Sequence, residues 1–444
     1  MADVRPFRGL RYRPGVAANL ADLLAPPFDV ISPETQRFLL RRHPANIVRL
    51  ELSEERTDDT PKDNRYTRAG ATLGRWLAEG ILTLDAEPAF YLYDQEFFQG
   101  GRLLRRRSLL ARVRLEPWAK GVVRPHEHTL IAPKEDRLQL LRHCHASFSP
   151  VFALYRDSDG RLGAAASQAA STAPLAQARE PGGEAHTLYS LADEASIGAI
   201  SGLFRDRTLY IADGHHRYET ALAYREERRA ADWSGEEPEN FVFMALTAAE
   251  DAGLVVLPIH RVIRLPAIPD DLPARFEGLF LVEDLGPVRT GVPLRDALAR
   301  LGEAGSRGPA YVAVGAGPAR MRLLVARDPE ALRASLPPGT PPVWRALDVA
   351  LLQYAVLEGL LGIDAARLAR GDALEYTEDA AEALRAVASG RVPLAFLVNA
   401  TPVEQILAAA DAGERMPQKS TFFYPKLVTG LVMYPLDQEP GSRN

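Results

Sequence analysis

A short polar segment at residues 211–218 contains the residue types that bind a phosphate. It reads Ile-Ala-Asp-Gly-His-His-Arg-Tyr and lies between a predicted strand and a predicted helix. Free backbone N–H groups in the first turn of a helix, together with the positive end of its dipole, attract anions. The segment therefore predicts a phosphate site. Its expected cofactor-binding residues are Gly214, His215 and Arg217, and its expected catalytic residues are Asp213 and His216.

The same turn also has a simpler interpretation. Asp213 is a residue type that caps helices, and the two histidines would then only pack at the helix start. In the phosphate-site interpretation, Asp213 instead holds Mg²⁺ or orients a histidine, while Arg217 binds the phosphate through two N–H groups.

A second polar cluster, Arg-Pro-His-Glu-His-Thr, occupies residues 124–129. His126 and His128 are two positions apart, so on an extended segment they face the same side and could chelate zinc or manganese. The arrangement is not His-Glu-x-x-His, and hydrogen-bonded structural histidines beside a solvated charge run explain it nearly as well. We expect His126 and Glu127 to act as catalytic residues in a polar cleft.

Lysine is rare in this chain, since only five of its 53 basic residues are lysines. A lysine retained in so arginine-rich a sequence indicates a need for a compact ammonium group. Three of the five fall in dense polar motifs, and two of these belong to the segment 416–426. We expect the nucleotide phosphates to contact Lys134, Lys419, Ser420, Thr421 and Lys426.

The segment 416–426 resembles a P-loop only superficially. Gly413 and Lys419 have the P-loop spacing, but the second glycine is missing and aromatic residues follow where a helix is required. The alternative is that Lys419 and Lys426 flank a solvent-exposed strand.

An acidic side chain follows two prolines at residues 26–29. Each proline fixes φ and restricts the residue before it, so Asp29 is held on a stiff bend, as a general base requires. A turn carboxylate that bonds to its own backbone is the alternative.

The elements that must position these residues alternate between helix and strand. We predict helices over 33–42 (with Ser32 as N-cap), 64–79 and 217–231, strands over 46–52, 88–94, 103–115 and 208–212, and a turn at 99–101. The segment 158–190 is expected to be a loosely flanked helix or an inter-domain excursion, and 268–335 and 344–436 to contain further helices and strands. The fold class is mixed α/β, with expected regions 1–190, 191–265 and 266–444.

Composition restricts the function further. The chain has 444 residues and a net charge of −5, which provides no global positive field for nucleic acid or an anionic membrane. Cys144 is the only cysteine, so an intramolecular disulfide is impossible. The N-terminal residues lack the apolar core of a secretory signal, and 347–363 is too interrupted by polar residues to span a bilayer. We expect a cytoplasmic protein; its oligomeric state is not predicted.

Several of these motifs resemble a known family. APPFDVIS, NIVRLEL, RPHEHT, PKEDRL, IADGHHRYETAL, LPIHR and MPQKSTFFYPKLVTGL identify the chain as a member of domain of unknown function 1015, over nearly its full length. More distantly, the Asp-Gly-His-His-Arg box resembles the phosphate-binding box of the ParB and sulfiredoxin superfamily, which includes free-serine kinases. That resemblance implies a ParB/sulfiredoxin-like core with a large insertion and an additional αβ C-terminal region, in which the box lines nucleotide phosphates. A sulfiredoxin-type reductase is disfavoured, because the box here has no cysteine.

The leading hypothesis is a nucleotide-dependent phosphotransferase that uses ATP or ADP with Mg²⁺. It acts on a small hydroxylated metabolite, and serine or a similar hydroxy acid is the favoured substrate. Asp29 or Glu127 would deprotonate the hydroxyl, and the basic residues of the box with Lys419 would spread the phosphoryl charge. The alternatives are a non-catalytic nucleotide- or DNA-responsive regulator of ParB type and a metal-dependent hydrolase. The hydrolase would use His126, His128, His143 and His145.

Overall fold

The computed structural model describes residues 1–129, 131–169, 173–317, 319–417 and 419–437. The α-helices are α1 (Pro33–Arg42), α2 (Val48–Glu51), α3 (Arg65–Ala78), α4 (Ile131–Cys144), α5 (Arg161–Ala169), α6 (Glu194–Phe204), α7 (His215–Arg228), α8 (Leu272–Leu279), α9 (Val292–Gly305), α10 (Pro329–Arg333), α11 (Asp348–Leu351), α12 (Ala365–Arg370), α13 (Ala380–Ala388) and α14 (Val403–Asp411). A π-helix spans Leu352–Glu358, and 3₁₀ turns span Leu20–Leu23, Phe28–Val30, Trp118–Lys120, Pro238–Asn240 and Pro342–Ala346.

The strands are β1 (Val4–Arg5), β2 (Leu10–Tyr12), β3 (Leu82–Leu84), β4 (Phe90–Gln99), β5 (Arg102–Arg114), β6 (Val123–Arg124), β7 (Ala146–Ser147), β8 (Val151–Tyr155), β9 (Ala176–Arg179), β10 (Ala185–Leu191), β11 (Leu209–Asp213), β12 (Phe241–Ala248), β13 (Val255–Leu257), β14 (His260–Ile263), β15 (Phe280–Pro287), β16 (Ala310–Gly315), β17 (Arg320–Ala326), β18 (Leu374–Thr377), β19 (Leu394–Val398), β20 (Phe422–Tyr424) and β21 (Tyr434–Pro435). Helices and strands alternate along the chain, which confirms the mixed α/β class.

The chain divides into two compact units. Unit 1 comprises 1–125, 129–254 and the segment from 425 onward, and unit 2 comprises 126–128 and 255–424. The three regions expected from the sequence stay a prediction.

Unit 1 is built on a mixed sheet with the strand order β6-β11-β8-β12-β5-β4-β10-β9, and β1 pairs with β5. Most neighbours are antiparallel, while β6–β11 and β8–β12 are parallel. One face is apolar: Leu109 and Val113 of β5 pack in a core with Met244 of β12 and Tyr218 of α7. The other face carries buried polar side chains, which the candidate site uses.

Unit 2 contains a sheet in which every pairing is antiparallel, with the order β15-β17-β16-β19-β14-β18. Helices α9 and α13 supply Leu301 and Leu384 to the apolar core on this sheet. A separate two-stranded pair joins β13 to β20.

Several local predictions are confirmed. The Ser32 hydroxyl accepts a hydrogen bond from the Thr35 N–H and caps α1. Helix α3 matches the predicted 64–79, and β4 and β5 form the predicted hairpin through Gly100 and Gly101, which both adopt positive φ. Strand β11 and helix α7 form the predicted strand-turn-helix, although α7 begins two residues earlier than expected.

Two local predictions are wrong. The predicted strand 46–52 instead contains helix α2: the Asn46 side chain accepts a hydrogen bond from the Val48 N–H and starts the turn. Leu50 and the adjacent Glu51 are both buried, so burial does not alternate as a strand with one buried face requires. The segment 158–190 contains β9 and β10 in addition to helix α5, and residues 170–172 lie outside the described part.

Within the described ranges, no helix combines the length and the apolar character needed to cross a membrane.

Candidate functional site

The turn between β11 and α7 depends on Gly214. This residue is the N-cap of α7 and adopts φ 91°, in the left-handed region that favours glycine. The N-cap of α7 is thus Gly214 and not Asp213, so the alternative in which the Asp213 side chain caps the helix is not observed. Asp213 instead accepts a hydrogen bond from the Gly214 N–H through Oδ1, at 2.9 Å. The positive end of the dipole of the 14-residue helix α7 therefore lies at a turn whose N-cap residue has no side chain.

Asp213 is the centre of an ion-pair cluster in unit 1. Its Oδ2 lies 3.1 Å from Lys426 Nζ and 3.5 Å from Arg217 Nη2. Burial alone would raise the pKa of the Asp213 carboxyl, but Lys426 and Arg217 outweigh it and hold that pKa well below its usual range. Two cations against one carboxylate leave this cluster with a surplus of positive charge.

The Arg217 guanidinium folds back over the turn. Its Nη1 donates to the Pro150 carbonyl, and its Nε would lie 2.9 Å from a Cβ added at Gly214. A guanidinium has five N–H donors, and the hydrogen bonds described for Arg217 use two of them. The other donors have no partner within the described residues. His215 is buried beside the turn and His216 is half-buried.

Lys426 is held in place by a buried polar network that was not predicted from the sequence. Arg106, which is 1% exposed, donates to the Pro425 carbonyl and to Gln95 Oε1, both at 2.6 Å. Gln95 in turn donates to the Lys426 carbonyl at 3.0 Å. These side chains project from the polar face of the unit 1 sheet, and Arg106 lies 4.9 Å above the Phe152 ring. The sheet thus fixes the backbone on both sides of the Pro425–Lys426 peptide.

A second buried cluster of polar and charged side chains in unit 1 was also not predicted from the sequence. Glu51 accepts a 2.5 Å hydrogen bond from Ser149 and forms an ion pair with Arg137 at 3.4 Å. The Arg137 guanidinium lies 4.0 Å from the centre of the Phe28 ring, and Ser149 contacts Thr429 at 3.0 Å. Four of the motifs that carry the family resemblance each contribute one residue to this cluster, namely Phe28, Glu51, Arg137 and Thr429. Their membership in these motifs was the sequence signal that could have identified the cluster.

Two further predicted residues of unit 1 lie in simpler surroundings. Asp29 is exposed in the turn Phe28–Val30. Lys134 Nζ lies 3.1 Å from Glu219 Oε2, which also accepts a 2.5 Å hydrogen bond from Thr129. Burial would raise the pKa of Glu219, but Thr129 and Lys134 outweigh it and lower that pKa. Lys134 is therefore already paired.

Unit 2 brings the remaining predicted residues together. Glu127 Oε1 accepts a hydrogen bond from the Lys419 backbone N–H at 3.1 Å, and His126 Nε2 lies 3.2 Å from Thr421 Oγ1. Lys419 adopts φ 57°, a conformation that costs a residue with a side chain about 1–2 kcal/mol. The Ser420 hydroxyl donates to the Pro417 carbonyl. The polar cleft expected around His126 and Glu127 and the loop expected around Lys419 are thus one cluster.

The described residues offer few ligands for the metal ions considered from the sequence. The described residues include no group of three or more His, Cys, Asp or Glu side chains that could hold a metal ion. His143 Nδ1 contacts the Gln139 carbonyl and His145 Nδ1 contacts the Tyr224 hydroxyl, both at 2.8 Å, as structural histidines do. Asp213 already has two cationic partners and is a poor match for a protein-held Mg²⁺. The Mg²⁺ assignment stays a prediction.

Some solved structures are weakly similar to this chain. Free serine kinase in complex with AMP is 13% identical, with a TM-score of 0.32, covering 71% of this chain and 86% of that one. A conserved hypothetical protein from Pyrococcus furiosus is 12% identical, with a TM-score of 0.32 and coverages of 72% and 92%. SbnI with C-terminal truncation from Staphylococcus aureus is 10% identical, with a TM-score of 0.31 and coverages of 74% and 87%.

Likenesses of this size carry no argument about activity. No curated protein matches the sequence. A family model matches residues 4–350, which is most of the chain and includes the turn at Gly214. The chain belongs to the family described as Protein of unknown function (DUF1015).

Proposed function

We propose that this protein is a nucleotide-dependent phosphotransferase that acts on a small hydroxylated metabolite. The observation that carries the proposal is the cluster at the β11–α7 turn, where Arg217 and Lys426 flank Asp213 beside the start of α7. ATP or ADP is the proposed phosphoryl donor.

The chemistry of the turn supports phosphate binding. Arg217 keeps N–H donors beyond those it gives to Pro150 and Asp213, and planar guanidinium donors match phosphate oxygens. The N–H groups of α7 and its dipole add positive potential, and Gly214 keeps the turn free of a Cβ. Asp213 holds the two cations in position without cancelling both charges.

The proposed reaction is an in-line transfer. The hydroxyl oxygen of the acceptor bonds to the terminal phosphorus of the nucleotide, and the bond from that phosphorus to the bridging oxygen breaks, so that ATP leaves as ADP or ADP as AMP. The hydroxyl proton passes to a carboxylate, for which Asp29 of unit 1 is the candidate. Arg217 and Lys426 would stabilise the charge on the transferred group and on the leaving phosphate.

Phosphorus NMR tests the reaction directly. The full chain is incubated with ATP or ADP and a pool of hydroxy amino acids and hydroxy acids, and a new phosphomonoester signal is expected. If no nucleotide raises the melting temperature and no phosphomonoester forms, the proposal is wrong. A nucleotide-dependent shift in melting temperature without product would favour the regulator instead.

Variants connect the activity to the turn. Arg217→Gln and Lys426→Gln should each lower the rate by about ten- to a thousandfold, as the loss of one charge contact does. Arg228→Gln removes the same charge from the other end of α7 and is the matched control, with unchanged activity expected. Asp29→Asn tests the base, because removal of the true base should cause a comparable loss of rate.

A further inference from the structure

Unit 1 contains a cavity beside the β11–α7 turn, and Arg217, which belongs to the phosphotransferase proposal, is among its lining residues. The volume open to the centres of water molecules in this cavity is about 40 Å³. On the same measure, a single bound water needs roughly 10–15 Å³. Its wall is apolar at Leu140, Val151 and Phe243 but also includes Glu51 and Arg217. A cavity of this size accommodates a molecule with a few heavy atoms or a small group of waters.

Glu51 presents an unused acceptor there. Its side chain is 3% exposed, and its two described partners, Ser149 Oγ and Arg137 Nη1, both contact Oε1. Within the described residues, no hydrogen bond reaches Glu51 Oε2. Buried carboxylate oxygens are rarely left without a donor, so Glu51, which lines the cavity, has an acceptor to offer a molecule bound there.

Arg217 lines the same cavity and supplies the opposite charge. Its unused N–H donors suit an anionic oxygen, whereas Glu51 Oε2 suits an ammonium group. A molecule that carries one ammonium and one carboxylate satisfies both ends and brings no net charge into a largely apolar wall. A simple cation would leave the spare Arg217 donors without an anionic acceptor, and a simple anion would leave Glu51 Oε2 without a donor.

We propose that this cavity binds a small zwitterion of amino-acid size, with its ammonium donating to Glu51 Oε2 and its carboxylate accepting from Arg217. Ser149 orients the Glu51 carboxylate from the opposite side by occupying Oε1. This inference rests on the proposed function in that Arg217 serves both sites, and it narrows the metabolite to one that carries an ammonium group as well as a carboxylate.

Pairs of matched ligands test the proposal with the full chain. Glycine and L-alanine carry the ammonium, and glycolate and L-lactate replace it with a hydroxyl while keeping the carboxylate. Glycine or L-alanine should raise the melting temperature in a saturable way, and the hydroxy acids should not. No shift from either amino acid, as expected if the cavity holds only water, overturns the proposal, and so do equal shifts from the hydroxy acids.

Variants assign the binding to the cavity. Glu51→Gln keeps an acceptor for Ser149 but loses the charge, and should weaken amino-acid binding about tenfold or more. Glu54→Gln changes an exposed glutamate three positions away and should leave the affinity unchanged. Ala221→Leu fills the cavity from α7 and should abolish the shift.

Binding by Glu51→Gln with wild-type affinity would also refute the site. Nucleotide-induced shifts are measured in parallel on the wild-type chain. Their absence would refute the phosphotransferase proposal and leave the amino-acid result intact.

Discussion

Replacement of Lys426 by methionine is the most informative test of the cluster around Asp213. Lys426 is 15% exposed, and its Nζ donates to Asp213 Oδ2 at 3.1 Å. Hydrogen bonds to charged groups contribute about 1.5–3 kcal/mol, so Lys426→Met should shift the unfolding equilibrium about 10- to 150-fold toward the unfolded state. Urea denaturation near pH 7 measures this difference in the free energy of unfolding.

The pH dependence of that difference provides a second check. Lys426 and Arg217 lower the pKa of Asp213 in the folded protein from 3.8, so the ion pair stabilises the folded state above pH 3.8. This stability is lost as the pH falls through the lowered, folded-state pKa and Asp213 takes up a proton. The difference between wild type and Lys426→Met should therefore be smaller near pH 3 than near pH 7.

The matched control is Lys120→Met. Lys120 is 61% exposed and pairs with Glu116 at 2.7 Å, and a surface pair of this kind contributes less than about 1 kcal/mol. The reasoning is wrong if Lys426→Met costs no more than Lys120→Met, or if its cost is the same near pH 3 and near pH 7.

Three further predictions concern residues around the cluster. Arg106→Gln should weaken ADP binding, because Arg106 positions Lys426. A double-mutant cycle with Lys426→Met, measured by calorimetry, should give a coupling energy of about 0.5–3 kcal/mol. If Arg106→Gln weakens ADP binding as much in the Lys426→Met background as in the wild type, the prediction is wrong. Gly214→Ala should cost about 1–2 kcal/mol in urea denaturation because of φ 91° and the Arg217 side chain, whereas Gly202→Ala, in open space on α6, should not destabilise. Burial and, to a lesser extent, the positive charge of Arg106 lower the pKa of His186 to about 4. The folded protein should therefore lose stability as the pH falls from 6.5 to about 4. A His186 imidazole that titrates near 6.5 by NMR would refute this.

Features determined by neighbouring residues could be predicted from the sequence. The cap at Ser32, the paired glycines between β4 and β5 and the strand-turn-helix at Gly214 depend on a few consecutive side chains. Helix α2 was misread because its buried positions are decided by packing against the rest of unit 1 and not by local propensity.

Long-range partners in the candidate site could not be predicted. The Lys426 and Asp213 side chains meet across 213 residues, and Arg106 bonds to the Pro425 carbonyl across 319 residues. Neither pairing is indicated by the residues that flank either partner in the sequence. The lysine count did single out Lys426, but it gave no indication that Asp213 would be its partner.

The order in which the chain is synthesised gives the Lys426 segment a further importance. Asp213, Arg217 and Gly214 emerge from the ribosome long before Pro425 and Lys426. Until then, the nascent chain has Arg106 and Asp213 without the contacts to Pro425 and Lys426 that they make in the folded protein. Unit 1 therefore completes its polar face only after residue 426 has been synthesised, and a messenger truncated before codon 425 would yield a chain with an incomplete ion-pair cluster around Asp213.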